Sequence, residues 1–546
     1  MTQGNPADRL DSWKEIAAYL RRDIRTVQRW EKNEGLPVHR HQHDKLGSIY
    51  AYKPELTEWF NSRRQSPATT RTLERIKLAV LPFGKVGGSR GEDYFCDGLT
   101  EEMITEITRM DPENLALIAR STTLHFDASG ASLEKLSRDL GVSYVLDGRV
   151  RRSGKRVRIS TQLVQLKDGI QLWAETYDRD ISDILSVQAD VAQAVARKIN
   201  LVLNLGERAR VAERRQGSSR VDPGAYDAYL KGRYSMHQMN PAAIERSIED
   251  FRLATELDPS YAPAYAALAS AYALLAIAPF DALPPHQAMP KAETAARRSL
   301  ELDDTLAEAH TALALVRHHY HWMWKDAESS YRRAIALNPN HAPSHLWYSW
   351  LLLALGRHQD AFDEIERTLR IVQETDPHRL VAVHATRAAA LYFGREFRRA
   401  VTECEKALKL DSRHFMVHYI LGRSLMRLSE HAKAVTHFES AKAGGADMPL
   451  MDAALGLAYA VTGRIEQARR LAEKFKASAI KRYIPPTYVG MLYAGLGNRK
   501  EALTWLERAF EERADGLTWL NVDPMLDDLR SDPGFQDLIR RIGLPQ

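Results

Sequence analysis

Small residues recur along the second half of the chain at a nearly constant interval. Ser247, Ala292, Ala327, Ala361, Ala400, Ala434, Ala468 and Ala502 follow one another at spacings of 45, 35, 34, 39, 34, 34 and 34 residues. A second row, Gly232, Ala269, Ala314, Ser349, Ala388, Gly422, Gly456 and Gly490, keeps step at 37, 45, 35, 39, 34, 34 and 34. Each unit therefore carries one small residue in each of two helices, which lets antiparallel helices pack closely. The pattern predicts an all-α solenoid of about eight helix pairs over residues 225–515, with Ala292, Ala327, Ala361, Ala400, Ala434, Ala468 and Ala502 as packing positions. Residues 516–546 leave this phase but keep apolar positions such as Met525, Leu526, Leu529, Phe535, Leu538 and Ile539. That segment is expected to cover the open end of the array, since a terminal repeat has no neighbour to bury its apolar face.

Within the units, Phe251, Tyr331 and Phe438 each stand four residues after a small residue of the first row. The sequences ELDP at Glu256–Pro259 and ALNP at Ala336–Pro339 end second helices with proline, which cannot continue a helix. These units resemble the tetratricopeptide repeat. The resemblance implies a concave surface that receives a protein or peptide segment; a structural spacer is the alternative. Where this family often has tryptophan, the chain has Tyr265, His310, His345, His384 and His418. They are expected to pack or line the groove rather than bind metal, because none pairs with another at i, i+4 on a ligand face.

The amino-terminal stretch has a different rhythm. Ser12 and Glu15 form an S-x-x-E capping box ahead of Trp13, Ile16, Ala17 and Leu20 at helical spacing. After a tight connection, Asp23 can cap a second helix with Ile24, Val27 and Trp30 inward and Arg25, Thr26, Gln28, Arg29 and Lys32 outward. Long donors on the second of two short helices suit a DNA major groove, where arginine can pair with guanine and glutamine with adenine. Val38 and Ile49–Tyr52 can form two strands around the polar turn His43–Gly47, and Pro54 opens a third helix with Leu56, Trp59 and Phe60 inward. Residues 10–64, notably TVQRW and EGLPVHR, resemble the winged-helix DNA-binding domains of the excisionase and MerR type. The candidate DNA contacts are Arg22, Arg25, Thr26, Gln28, Arg29, Lys32, Arg40 and Lys45. Arg21 stands where many such turns have glycine. A small protein-binding module is the competing reading, and a metal site at His39, His41 and His43 is the less favoured reading of the wing.

Between these regions, Ile76–Phe83 reads as a buried strand, followed by the glycine-rich GKVGGSRGED and a helix with Leu99, Met103, Ile104 and Ile107 inward. Strands at Leu115–Ala119, Tyr144–Val150, Val157–Leu166 and Gln171–Tyr177, with helices at Leu133–Leu140 and Ile184–Leu203, make an α/β domain. KLAVLPF, DGLTEEMITEI and the stretch from Gly141 to Arg179 resemble the TolB amino-terminal-like (FlgO-like) domain, which implies no defined chemistry. The glycine-rich loop lacks G-x-x-x-x-G-K-[ST] and reads as a plain connection rather than a phosphate cradle. The basic hairpin Arg149, Arg151, Arg152, Lys155, Arg156 and Arg158 could touch phosphates. Its alternation with Val150, Val157 and Ile159 is equally what a solvated sheet face requires, and that reading is preferred.

The chain thus reads as multidomain: a small winged helix (1–65), a linker (66–75), an α/β domain (76–205), a linker (206–224), a tetratricopeptide-repeat solenoid (225–515) and a capping segment (516–546). Net charge is +5 from 76 basic and 71 acidic residues, so any DNA contact must be local. Two cysteines, Cys96 and Cys404, cannot frame a disulfide-rich secreted protein. The opening MTQGNPADRLDSWKE has no apolar signal core, and no run approaches ~18 apolar residues, so a cytoplasmic protein without membrane contact is expected. With no HExxH, Walker loop, G-x-S-x-G or C-x-x-C, neither enzyme activity nor a cofactor or metal is expected. The leading expectation is a bacterial-type transcriptional regulator that binds double-stranded DNA, with paired copies on half-sites, and whose repeat groove binds a protein or peptide. The alternative is a scaffold or adaptor that does not bind DNA.

Overall fold

The computed structural model describes residues 8–20, 27–28, 30–31, 36–40, 49–57, 59, 75–86, 93–110, 115–124, 126–202, 220–444, 448–479 and 482–545. The chain divides into two compact units, Met1–Arg75 and Ile76–Gln546.

In the first unit the capping sequence opens the helix Trp13–Leu20. The Glu15 amide donates to Ser12 Oγ at 3.2 Å, and the Asp11 amide donates to Glu15 Oε2 at 3.0 Å. Ile16, Ala17 and Leu20 then face a small core with Val27, Trp30, Leu36, Ile49, Ala51 and Leu56. Strand β2 (His39–Arg40) pairs antiparallel with β3 (Ile49–Tyr52), placing Arg40 opposite Ile49. A strand the alternation did not announce, β1 (Arg9–Leu10), pairs with the other edge of β3 to complete three strands. Two residues are too few for a period-two pattern to register.

The second unit begins with a mixed sheet. Its strands are β4 (Ile76–Val80), β5 (Gly84–Lys85), β6 (Leu115–Ile118), β7 (Tyr144–Ser153), β8 (Arg156–Gln165) and β9 (Ile170–Asp180), ordered β6-β4-β7-β8-β9 with β5 beside β7. Pairing is parallel from β6 to β7 and antiparallel from β7 to β9, as expected for strands joined first by helices and then by tight turns. The helices Asp93–Met110 and Ile184–Val202 bury Leu99, Met103, Val191 and Val195 on one face. The helix Gly130–Leu140 buries Leu136 against Ala79, Ile118 and Val145 on the other.

Eight helix pairs follow among the described residues. Repeats one to four are Pro223–Met236 with Pro241–Leu257, Ala262–Leu275 with Pro285–Leu302, Ala307–Val316 with Trp324–Leu337, and Ala342–Ala354 with His358–Thr375. Repeats five to eight are Leu380–Phe393 with Phe397–Leu410, Phe415–Arg427 with His431–Gly444, Pro449–Val461 with Ile465–Ser478, and Pro486–Gly495 with Arg499–Glu511. The two rows of small residues meet inside these pairs. A Cβ on Gly232 would stand 2.5 Å from the Phe251 ring, and one on Gly422 would stand 2.7 Å from the Phe438 ring. In repeats one and six the aromatic residue of the second helix thus occupies the space that glycine leaves in the first. Ala292, Ala327, Ala361, Ala400, Ala434, Ala468 and Ala502 have no exposed surface. The two longer intervals also have local causes. In repeat two a connection of residues 276–284 separates the helices, and after repeat four a 3-10 turn, Pro377–Arg379, precedes the next helix.

Candidate functional site

In the amino-terminal unit, residues 27–28 and 30–31 are helical, with Val27 and Trp30 buried and Gln28 exposed. The helix thus turns a glutamine to solvent from a tryptophan-anchored core, in which the Trp30 and Trp59 rings stand 5.7 Å apart. Arg40 stands on β2, but its side chain lies outside the described residues, as do Arg22, Arg25, Thr26, Arg29, Lys32 and Lys45. His39 is engaged locally: its Nε2 is 2.7 Å from Glu55 Oε2 and its ring stacks on Tyr50 at 5.1 Å. His41 and His43 lie outside the described residues. Among the described residues no three metal-ligating side chains converge, and no helix is long and apolar enough to cross a membrane.

Among the described residues the sheet domain is bonded to the array at repeat one, at Thr305 after repeat two, and at repeat four. At repeat one, Arg233 donates to Glu102 at 2.9 Å and to Glu101 at 3.3 Å, Tyr229 donates to Glu102 at 3.0 Å, and His237 meets Glu101 at 2.9 Å. Burial works against the Glu101 charge, yet the His237 hydrogen bond and the Arg233, His237 and Arg120 charges hold its carboxyl down at about 2. Burial pushes the Glu102 carboxyl the other way. Gly98 completes the contact, since a Cβ there would stand 2.6 Å from Leu230. At repeat four, Ser121 donates to Asp376 at 2.6 Å.

The inner groove of the array is filled by the chain itself. Residues 513–529 touch repeats two, three, four, five, six and eight, a reach open to a segment of this length only if it runs along the inside of the superhelix. Asp515 accepts from the Ala278 amide at 3.1 Å and pairs with His319 at 2.5 Å. The Trp519 ring lies 5.4 Å from Trp350 and 5.2 Å from Phe393. Arg423 donates to both oxygens of Asp523, which also accepts from Tyr392 at 3.2 Å, and Arg395 grips Asp527 with two bonds of 2.7 Å. The helix Pro533–Ile542 then packs Phe535, Leu538 and Ile539 against Ala502 and Leu506 of repeat eight, while Trp324 of repeat three donates to the Ile542 carbonyl at 3.1 Å. Besides covering the last repeat, the segment crosses back along the groove to repeats two and three. Its acidic residues find buried arginine and histidine partners there, which a cap at the end would not offer.

Three histidines of the first helices are internal latches, whereas His310 meets only the Asp304 carbonyl of the preceding turn, at 3.0 Å. His345 Nδ1 meets Glu364 at 2.5 Å and its Nε2 meets the Pro339 carbonyl at 3.0 Å. His384 meets Glu403 at 2.6 Å, and His418 meets His437 at 3.0 Å and the Ser412 carbonyl at 3.0 Å. In all three the side-chain partner lies 19 residues ahead, in the second helix of the same repeat. That spacing is present in the sequence and was the signal by which the pairs could have been found.

Comparison with known proteins places two kinds of module on these elements. Residues 74–194 match the model of the second domain of HilA/YgeH-like transcriptional regulators, and residues 324–374 and 386–449 match tetratricopeptide repeats. A relative described as putative adenylate cyclase 3 of Rhizobium meliloti (strain 1021) is 33% identical over 238 residues, which cover 44% of this chain and 39% of the relative. The match thus spans about two fifths of that relative's length. This finding corrects the expectation that the chain is no enzyme: a missing motif does not exclude catalysis when a relative at this identity carries a cyclase's name. Among solved structures, pilF of Pseudomonas aeruginosa is 20% identical with a TM-score of 0.31, over 41% of this chain and 94% of that one. The Cut9–Hcn1 assembly is 13% identical with a TM-score of 0.40, over 65% and 59%. Residues 74–194 are thus similar to the second domain of HilA/YgeH-like transcriptional regulators, and repeats of the tetratricopeptide type follow them.

Proposed function

We propose that this protein is a DNA-binding transcriptional regulator, cytoplasmic, in which a winged-helix reader in residues 1–65 contacts duplex DNA and the repeat array binds a protein partner. The observation that carries the reading is the regulator-type second domain at residues 74–194, which stands between an amino-terminal unit and an array of interaction repeats. The exposed Gln28 beside the buried Val27 supports the reader's orientation, and Arg22, Arg25, Thr26, Arg29, Lys32, Arg40 and Lys45 are its proposed companions. The TolB-like resemblance of residues 76–205 belongs to the same reading, as the domain that joins reader and array. Because residues 513–529 fill the inner groove, the partner meets the array on its exposed helix faces. Two copies on paired half-sites supply the affinity that a reader of this size lacks alone.

Recovery of bound DNA from native cells, compared with a chain carrying Arg25→Ala and Arg29→Ala, tests the reading. Each substitution is expected to weaken operator binding by ~1–3 kcal/mol if the residue reads a base. Identical recovery from both chains, with no salt-sensitive duplex binding by the native protein, would favour the scaffold alternative.

A further inference from the structure

Among the described residues, one face of the sheet in the second unit is only half covered. The helix Gly130–Leu140 lies over β4, β6 and the start of β7, where it buries Leu136 on Val145. Beyond it, β7 turns Arg149 and Arg151 outward, β8 turns Arg156, Arg158 and Ser160 outward, and β9 turns Thr176 outward, all six exposed. The alternate residues of the same strands, Val150, Val157 and Ile159, are buried against the helices of the other face. Arg152 belongs to that inner face and pairs with Asp227 at 2.6 Å.

The charges on the open face do not balance locally. Arg151 stands directly opposite Arg158 in the antiparallel register, and like charges so placed destabilise a sheet. Asp178, opposite Arg158 on β9, relieves part of this by holding Arg158 at 2.5 Å and Arg156 at 2.6 Å, and those bonds hold its own carboxyl below the usual range. The other two carboxylates nearby are used elsewhere: Asp147 accepts from Gln162 at 3.0 Å, and Asp180 caps the Ser182 amide at 3.0 Å. Arg149 and Arg151 have no acceptor among the described residues. A merely solvated face needs polar side chains, not a run of one sign with two forks left open.

We propose that this face of β7–β9 is a second DNA contact, on which Arg149 and Arg151 bind the sugar-phosphate backbone of a duplex. The two arginines are ~7 Å apart along one strand, from two steps of ~3.4 Å. Guanidinium forks match phosphate oxygens, and hydroxyls such as those of Ser160 and Thr176 supply the accompanying neutral donors. The face is a pleated surface without a projecting helix, so it positions DNA and reads no sequence. The proposal rests on the reading of the chain as a DNA-binding protein, and it takes the phosphate-contact alternative in place of the solvated hairpin.

The test uses the full chain and a duplex without an operator, with binding followed by fluorescence anisotropy between 50 and 200 mM salt. Arg149→Ala with Arg151→Ala is expected to lower the slope of log affinity against log salt by ~1.8, from ~0.9 per phosphate contact, and to weaken binding on the order of tenfold at 0.1 M salt. The paired lysine variant keeps most of the slope. The same loss is expected in a chain that also carries Arg25→Ala and Arg29→Ala, which separates this face from the amino-terminal reader. An unchanged slope in a native chain that does bind DNA overturns this inference and leaves the proposed function standing. Absence of duplex binding by the native chain overturns both. Loss of polyglutamate binding with duplex binding intact would make the face a site for acidic protein and also overturns the proposal.

Discussion

Arg423, in the first helix of repeat six, grips Asp523, 100 residues further along the chain, and both side chains are more than nine-tenths buried. The guanidinium also lies 4.4 Å over the Tyr392 ring. The pair fastens the carboxyl-terminal segment into the groove of the array. A buried pair need not be worth more than apolar residues of the same shape, but removing one partner strands the other charge. Arg423→Ala or Asp523→Ala is therefore expected to cost ~3–5 kcal/mol in urea unfolding, whereas Arg423→Met combined with Asp523→Leu costs much less. Similar losses in the single and double variants would show that the charge left unpaired is not the cause.

Asp281, in the connection of repeat two, is buried and accepts a hydrogen bond from Tyr488 of repeat eight. Burial, reinforced by the Asp515 charge, pushes its carboxyl up to about 8. A carboxyl raised on folding binds more protons in the native than in the unfolded state between ~4, its unfolded value, and 8. Stability therefore falls as pH rises through that window, and the full penalty stands above it. Asp281→Asn keeps an acceptor for Tyr488 without the charge, so it should flatten the decline in unfolding midpoint between pH 5 and 9. A variant with the native slope would place the titration elsewhere.

Glu101 has the opposite sign. Its carboxyl is held at about 2, below the unfolded value near 4.5, so its contribution is present above ~4.5 and is lost as pH falls toward 2. Glu101→Gln should be less stable than the native protein at pH 6, and the difference should shrink through acid titration. Its first effect should be faster hydrogen exchange in residues 223–237, where His237 loses its charged partner and Arg233 keeps only Glu102.

The small-residue rows make a packing prediction. Gly422→Ala drives a methyl into the Phe438 ring and should cost ~1–3 kcal/mol. Ala434→Trp, in the facing helix, should uncouple repeats six and seven and raise hydrogen exchange across residues 415–482. Gly463, with a φ of 79° and open space around it, supplies the contrast, since its alanine variant costs only the left-handed backbone strain of ~1 kcal/mol.

Much of the second unit was legible because its signals are local. The 34-residue interval, the aromatic four residues after a small residue and the proline stops each act within one helix pair, where neighbours in sequence are neighbours in space. The alternation along β7 and β8 likewise assigned faces before any fold was known. How far that face is covered was not legible, because alternation alone does not say that the helix Gly130–Leu140 stops short of Arg149.

The sequence by itself determined that a repeat array follows an α/β domain, since period and side-chain volume suffice for that. Tertiary structure alone decided where the acidic carboxyl-terminal segment goes. Residues 515–527 carry nothing that names Ala278, His319, Arg395 or Arg423 as partners, and these lie 100 to 237 residues away. Only the superhelical turn of the array brings those donors to one groove. There a low-dielectric interior makes unpaired charge costly enough that arginine, histidine and aspartate must meet.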